Sequence, residues 1–87
     1  MNSAHYYDFR ADGRTLEAGY GTMRYIRQRG RELAMAEPKK RVDVHIAINK
    51  ETRLEHIGAW RPDGIFIDSW GHPNRLSPDG QSLISIK

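Results

Sequence analysis

No cysteine occurs in the 87 residues, so neither a disulfide nor a thiolate metal site holds this chain together. Nothing in that absence implies an oxidising compartment, and the expectation is an ordinary cytoplasmic protein. Long apolar runs are missing too. Nowhere do 18 apolar residues follow one another, and the start MNSAHYYDF has no basic segment ahead of an apolar one, so neither a membrane span nor an export signal is expected. The local signatures of common enzyme classes are absent: there is no HExxH, GxSxG, P-loop or GxGxxG. The RNP aromatic motif, a KH-type GXXG loop and zinc-finger spacing are missing as well. No catalytic residue, metal ligand or cofactor is assigned, and the chain reads as a binding module sooner than as an enzyme. A small ribonuclease or hydrolase with scattered side chains survives this exclusion, because it needs no local motif.

What remains is a short, basic chain, read as one domain over residues 1–87. A chain of this size buries only about 60% of the surface its unfolded form exposes, so a homo-oligomer is one expected source of extra stability. The formal charge of +3 is unevenly spread. Residues 24 to 41 hold seven Lys/Arg against Glu32 and Glu37, a net +5 that leaves −2 for the rest. Concentrated positive charge attracts phosphates or acidic protein surfaces, and the ten arginines against four lysines suit phosphate through the planar guanidinium fork.

The expected fold class is α+β, with the order β-α-β-β-β(-β) and one long helix packed on a mostly antiparallel sheet. HYYDFR, residues 5–10, reads as a first strand that stops at the turn-forming Ala11-Asp12-Gly13. Thr15 then caps a helix one side of which collects Leu16, Tyr20, Met23, Ile26, Arg27, Gly30, Leu33 and Ala34, with Gly19 on it too. Glycines 19, 21 and 30 cost that helix roughly 3 kcal/mol of propensity, so a helix beginning only at Thr22, after a Gly19-Tyr20-Gly21 loop, is the competing reading. Pro38 ends it in either case.

From Arg41 the pattern switches to period two, with Val42, Val44, Ile46 and Ile48 on one face and Asp43, His45, Ala47 and Asn49 on the other. Arg53 to Trp60 follows as a second hairpin strand after a polar turn at Asn49–Thr52. A three-residue loop puts Leu54, His56 and Trp60 on the core face, whereas a two- or four-residue loop puts Ile57 and Ala59 there. Pro62-Asp63-Gly64 and Pro78-Asp79-Gly80 are matching turns, IFIDSW (65–70) is a third strand, Gly71–Ser77 a long loop and SLISIK a last strand.

Three groups of residues are candidates for function. Arg24, Arg27 and Arg31, with Gln28 beside them, form a helical stripe that Lys39, Lys40 and Arg41 prolong, suited to nucleic acid or an acidic protein. Tyr25 points outward and is placed to stack on a base; the plainer reading of the stripe is a solvated flank whose stems cover the core edge. Phe66 and Trp70, with Trp60, are read as an aromatic sheet face serving self-association, a partner or a ligand, against simple core filling. His45 and His56, with Asp43, Glu55 and Asp68 nearby, make an acid–base or metal constellation only in the register that brings both imidazoles to one face.

Overall fold

The computed structural model describes residues 4–48, 54–78 and 82–86, and the side chains of all of these except 47, 48, 54 and 55. Strands β1 (His5–Ala11) and β2 (Arg14–Gly21) form a hairpin. Helix α1 (Met23–Ala36) follows, then β3 (Val42–Ile48), β4 (Leu54–Trp60), β5 (Phe66–Asp68), β6 (Pro73–Leu76) and β7 (Leu83–Ser85). Among the described residues the seven strands belong to one antiparallel sheet in the order β2-β1-β3-β4-β5-β6-β7, with one helix across one face. The expected α+β arrangement of one helix on an antiparallel sheet is the observed one.

The start of the helix differs from the longer reading. Asp12 and Gly13 both have positive φ, 55° and 74°, the conformation of a two-residue hairpin turn whose twist matches the flanking strands. That turn sends residues 14–21 back along β1 as an edge strand, and Thr22 caps α1 through its hydroxyl, which accepts from the Tyr25 N–H at 3.1 Å. Gly19 and Gly21 therefore serve the strand and not a helix face. Gly19 faces Tyr7, whose hydroxyl would lie 3.4 Å from an added Cβ, and Gly21 faces Tyr25, whose ring would lie at 2.7 Å.

The Gly71–Ser77 segment is likewise more ordered than a loop, since residues 73–76 bridge β5 and β7. Proline is tolerated at the first position of a strand, and the Pro73 carbonyl accepts the Ile86 N–H at 2.9 Å. The Asn49–Thr52 turn, together with Asp79 and Gly80 of the second Pro-Asp-Gly turn, lies outside the described residues.

Period-two alternation puts Tyr7, Phe9, Val42, Val44, Ile46, Trp60 and Phe66 under the helix, where they meet Met23, Ile26 and Ala34 in one buried cluster. Burying each large apolar side chain contributes about 1.5–3 kcal/mol. At the centre the backbone of Gly30 lies so close to the Trp60 indole that an added Cβ would come within 2.2 Å of Cδ1. Glycine here lets helix and sheet approach more closely than any residue with a side chain.

The hairpin register pairs Ile46 with His56 and Val42 with Trp60. It realises the option that puts His56 and Trp60 on the core side. Trp60 and Phe66 are consequently 3% and 0% exposed, packed edge to face with centroids 5.0 Å apart. They are core residues, and the aromatic interface expected of them is not present on the surface of this chain. Trp70 does not share their face, because β5 ends at Asp68 and the indole stands 81% exposed in the following turn.

Candidate functional site

The two flanks of α1 carry opposite electrostatic characters. On the β2 side Arg29 donates through Nε to Glu17 at 2.9 Å and through Nη1 to Glu32 at 2.8 Å, while the Tyr7 hydroxyl donates to the other Glu17 oxygen at 2.9 Å. Burial first, then hydrogen bonding to Tyr25 and Glu17, holds the Tyr7 phenol well above its ordinary range. This flank is ion-paired and closed. Tyr25, 46% exposed, leans on Gly21 with its ring 6.0 Å from Tyr7, so it stands on this side of the helix and not beside the arginine stripe.

The other flank carries Arg24, Arg27 and Arg31 toward the turns that follow β4 and β6. Arg24 reaches the Pro78 carbonyl at 3.5 Å, and Arg27 and Arg31 both lie over Gly64. None of the three meets a carboxylate among the described residues, whereas Arg10, Arg29, Lys40, Arg41 and Arg61 each do. Composition accounts for it, because MRYIRQRGRELAMA offers Glu32 as its only acid, and Glu32 is held by Arg29 with Gln28 at 3.4 Å. Arg14 and Arg75 also lack a carboxylate among the described residues, but each stands singly.

The tertiary structure divides the rest of the basic segment. Lys40 binds Asp12 at 3.2 Å, with Glu37 at 4.0 Å, and Lys39 is exposed beside it. Arg41 shares the face of Asp43, to which its Nε is bound at 3.1 Å. That face is turned away from the helix, and Arg41 there lines a concavity of about 530 Å³ with Ala59, Arg61, Ile67 and Trp70. Arg24, Gln28, Arg27 and Arg31 thus remain together, Lys39 and Lys40 form a separate corner, and Arg41 belongs to the opposite side of the sheet.

The histidines do not assemble. His45 pairs with Ile57 and His56 with Ile46, so the sheet separates the two imidazoles and a shared His45–His56 centre is removed. His45 sits on the outer face, where a cavity of about 210 Å³ is lined by Asp8, Arg10, Asp43 and Ile57 beside it. Partial burial raises the Asp43 carboxyl despite Arg41. His56 lies on the helix side in a cavity of about 190 Å³ with Asp68, Trp70 and Asn74. No cluster of three metal-ligating side chains occurs among the described residues. No helix there is long and apolar enough to cross a membrane.

Sequence reasoning did not single out Asp68, Asn74 and His5 in the roles they hold. Asn74 donates to the Phe66 and His72 carbonyls and to Asp68 Oδ2, and Asp68 Oδ1 accepts the Trp70 and His72 N–H groups. Burial works to raise the Asp68 carboxyl, but these hydrogen bonds outweigh it and hold it below its usual range. The turn that presents Trp70 is therefore well braced. His5 is 2% exposed, and neither ring nitrogen has a hydrogen-bond partner among the described residues.

His5 supplies a pH prediction. Burial, reinforced by His56, lowers its pKa below the ordinary 6.5, and burial also lowers that of His56 against the pull of Asp68. Between the depressed folded values and 6.5 the unfolded chain binds more protons, so stability is full above 6.5 and is lost as the pH falls below it. Urea midpoints should drop between about pH 7.5 and about pH 5.5, and His5→Leu should flatten that slope. A midpoint that rises on acidification contradicts the assignment.

No protein-family model, curated protein or solved structure matches this chain. Function therefore rests on the chemistry of the surface alone.

Proposed function

We propose that this domain is a non-enzymatic nucleic-acid-binding module whose contact surface is the helix flank bearing Arg24, Arg27 and Arg31. The observation that carries the reading is the missing counter-charge: three arginines about one helical turn apart face turns and solvent without a carboxylate among the described residues. Guanidinium groups stay charged at any physiological pH and bind phosphate oxygens through a planar fork. A row at this spacing tracks a phosphate backbone, and such contacts are read as affinity without sequence preference. An acidic protein surface is the competing partner.

The test is fluorescence anisotropy with a short mixed-sequence DNA or RNA strand over a salt series. Three phosphate contacts imply a slope of log K on log salt of roughly −2 to −3, and the triple Arg24/Arg27/Arg31→Gln variant should abolish most of it. Flat salt dependence, or a triple variant that binds as wild type does, removes the proposal. A tagged pull-down whose captured partner persists after nuclease treatment points to the acidic protein instead.

One further observation favours a second reading, self-association through the outer sheet face. Tyr20 and Ile57 there are 74% and 51% exposed, and Trp70, in the turn at the sheet's end, is 81% exposed; exposed apolar groups of this size are a common feature of interfaces. Trp60 being buried, nearly all fluorescence quenchable by acrylamide belongs to Trp70. Self-association predicts that this quenching falls with protein concentration and that Trp70→Ala restores a monomer in light scattering. A concentration-independent monomer dismisses it.

A further inference from the structure

We infer that Arg27 and Arg31 form a discrete pocket for a single phosphate group at the turn after β4, distinct in strength from the rest of the stripe. The inference deepens the nucleic-acid reading and rests on it for the source of the phosphate, a backbone phosphodiester. Three observations converge on the pair.

The first is geometry. A Cβ built on Gly64 would meet Arg31 Nη2 at 2.7 Å, Arg27 Nη2 at 3.1 Å and Arg31 Cζ at 3.4 Å, so both guanidinium groups point to one spot. Gly64 is buried with φ +88°, a conformation that glycine adopts readily, and its lack of a side chain lets both guanidinium groups close on the same turn. The second is unmet hydrogen bonding. Nε of Arg27 and Nε of Arg31 are both buried without a partner among the described residues, whereas Arg24 has the Pro78 carbonyl. An arginine presents five donors and cannot shed its charge, so two of them side by side and partly desolvated repel each other until an anion stands between them.

The third concerns the carboxylate that sequence places nearest. Asp63 adjoins Gly64, yet its Oδ1 accepts the Ile65 N–H at 3.1 Å and its Oδ2 is bound by Arg61. The acid that would neutralise the pair is engaged by its own turn, and Glu32 is engaged across the helix by Arg29. A tetrahedral oxyanion offers acceptors in several directions and can take one donor pair from each fork.

Inorganic phosphate is the probe, titrated at constant ionic strength against chloride while the arginine Nε–H signals are followed by NMR. Arg27 and Arg31 should shift together and saturate, while Arg14, Arg75 and Arg24 stay nearly still. R27Q and R31Q should each weaken phosphate binding about tenfold, the loss of one charge-assisted hydrogen-bond pair, and R24Q should not. R31K, which keeps the charge but not the fork, should resemble R31Q. Shifts that never saturate, or that chloride reproduces, overturn the inference. Oligonucleotide binding to which R24Q and R27Q contribute equally, and with which phosphate does not compete, overturns it while leaving the proposed function standing. Saturable phosphate binding without oligonucleotide binding supports the pocket and overturns the proposed function.

Discussion

Gly58→Ala is expected to destabilise the protein by about 3 kcal/mol, close to the upper end of ordinary overpacking and a large part of a small domain's stability. Gly58 pairs with Asp68 at the seam between β4 and β5. An added Cβ would come within 2.1 Å of the Ile67 carbonyl oxygen, 2.7 Å of the Phe66 ring and 2.8 Å of the Asp68 Cα. Two of those three contacts are backbone, so relief requires β5 to move away from β4. That displacement loosens the buried Phe66 and the Asp68–Asn74 brace together. For a domain of this size the cost corresponds to a fall in Tm of roughly 15 °C. Gly19→Ala is the matched control in the same sheet, because its Cβ would meet nothing nearer than 3.4 Å and its melting point should barely change. Equal melting points for the two variants would show that β4 and β5 are not packed as described.

Gly30→Ala is the second large effect, with a net loss of about 2 kcal/mol: roughly 3 from overpacking, offset by about 1 gained in helix propensity. Here the obstacle is a side chain, the Trp60 indole, with Cδ1 at 2.2 Å, Nε1 at 2.6 Å and Cγ at 2.9 Å from the added carbon. A collision with a side chain is relieved by making that side chain smaller. Trp60→Phe alone leaves a cavity and costs stability, but in the double variant the new methyl group occupies part of it. The two losses should therefore add to less than their sum, by about 1 kcal/mol in a double-mutant cycle from urea denaturation. Additive losses, or a Gly30→Ala protein more stable than wild type, contradict this packing. Gly30 also adjoins Arg31, so a helix lifted off Trp60 carries the arginines away from Gly64. Loss of phosphate binding should accompany the loss of stability.

Parts of this molecule were legible in residue order because they depend on near neighbours. Val42, Val44, Ile46 and Ile48 alternate along one strand, and Pro62-Asp63-Gly64 turns where its own φ preferences require. Arg24, Arg27 and Arg31 share a helix flank because helical spacing alone aligns them. Residues 15–21 show the reverse. Leu16 and Tyr20 fit a helical period continuous with Met23, and only the positive φ values at Asp12 and Gly13, with β1 waiting alongside, decide for a strand. Edge strands bury little, so their apolar pattern is weak. Alternation groups Trp70 with Phe66, yet Asp68 stops the strand by bonding the backbone of Trp70 and His72, which no periodicity registers.

By itself, then, the order of residues determined an α+β chain without a cysteine, one arginine-rich helix, and a hairpin with a strongly apolar face. Only the tertiary structure decided which arginines go without a carboxylate among the described residues, which tryptophan reaches solvent and that His45 and His56 lie on opposite sides of the sheet. The physical reason is range. Turn preference, period and helical spacing act over a few residues, whereas Arg27 and Arg31 meet Gly64, and Glu17 meets Arg29, only after strands far apart in the chain have paired.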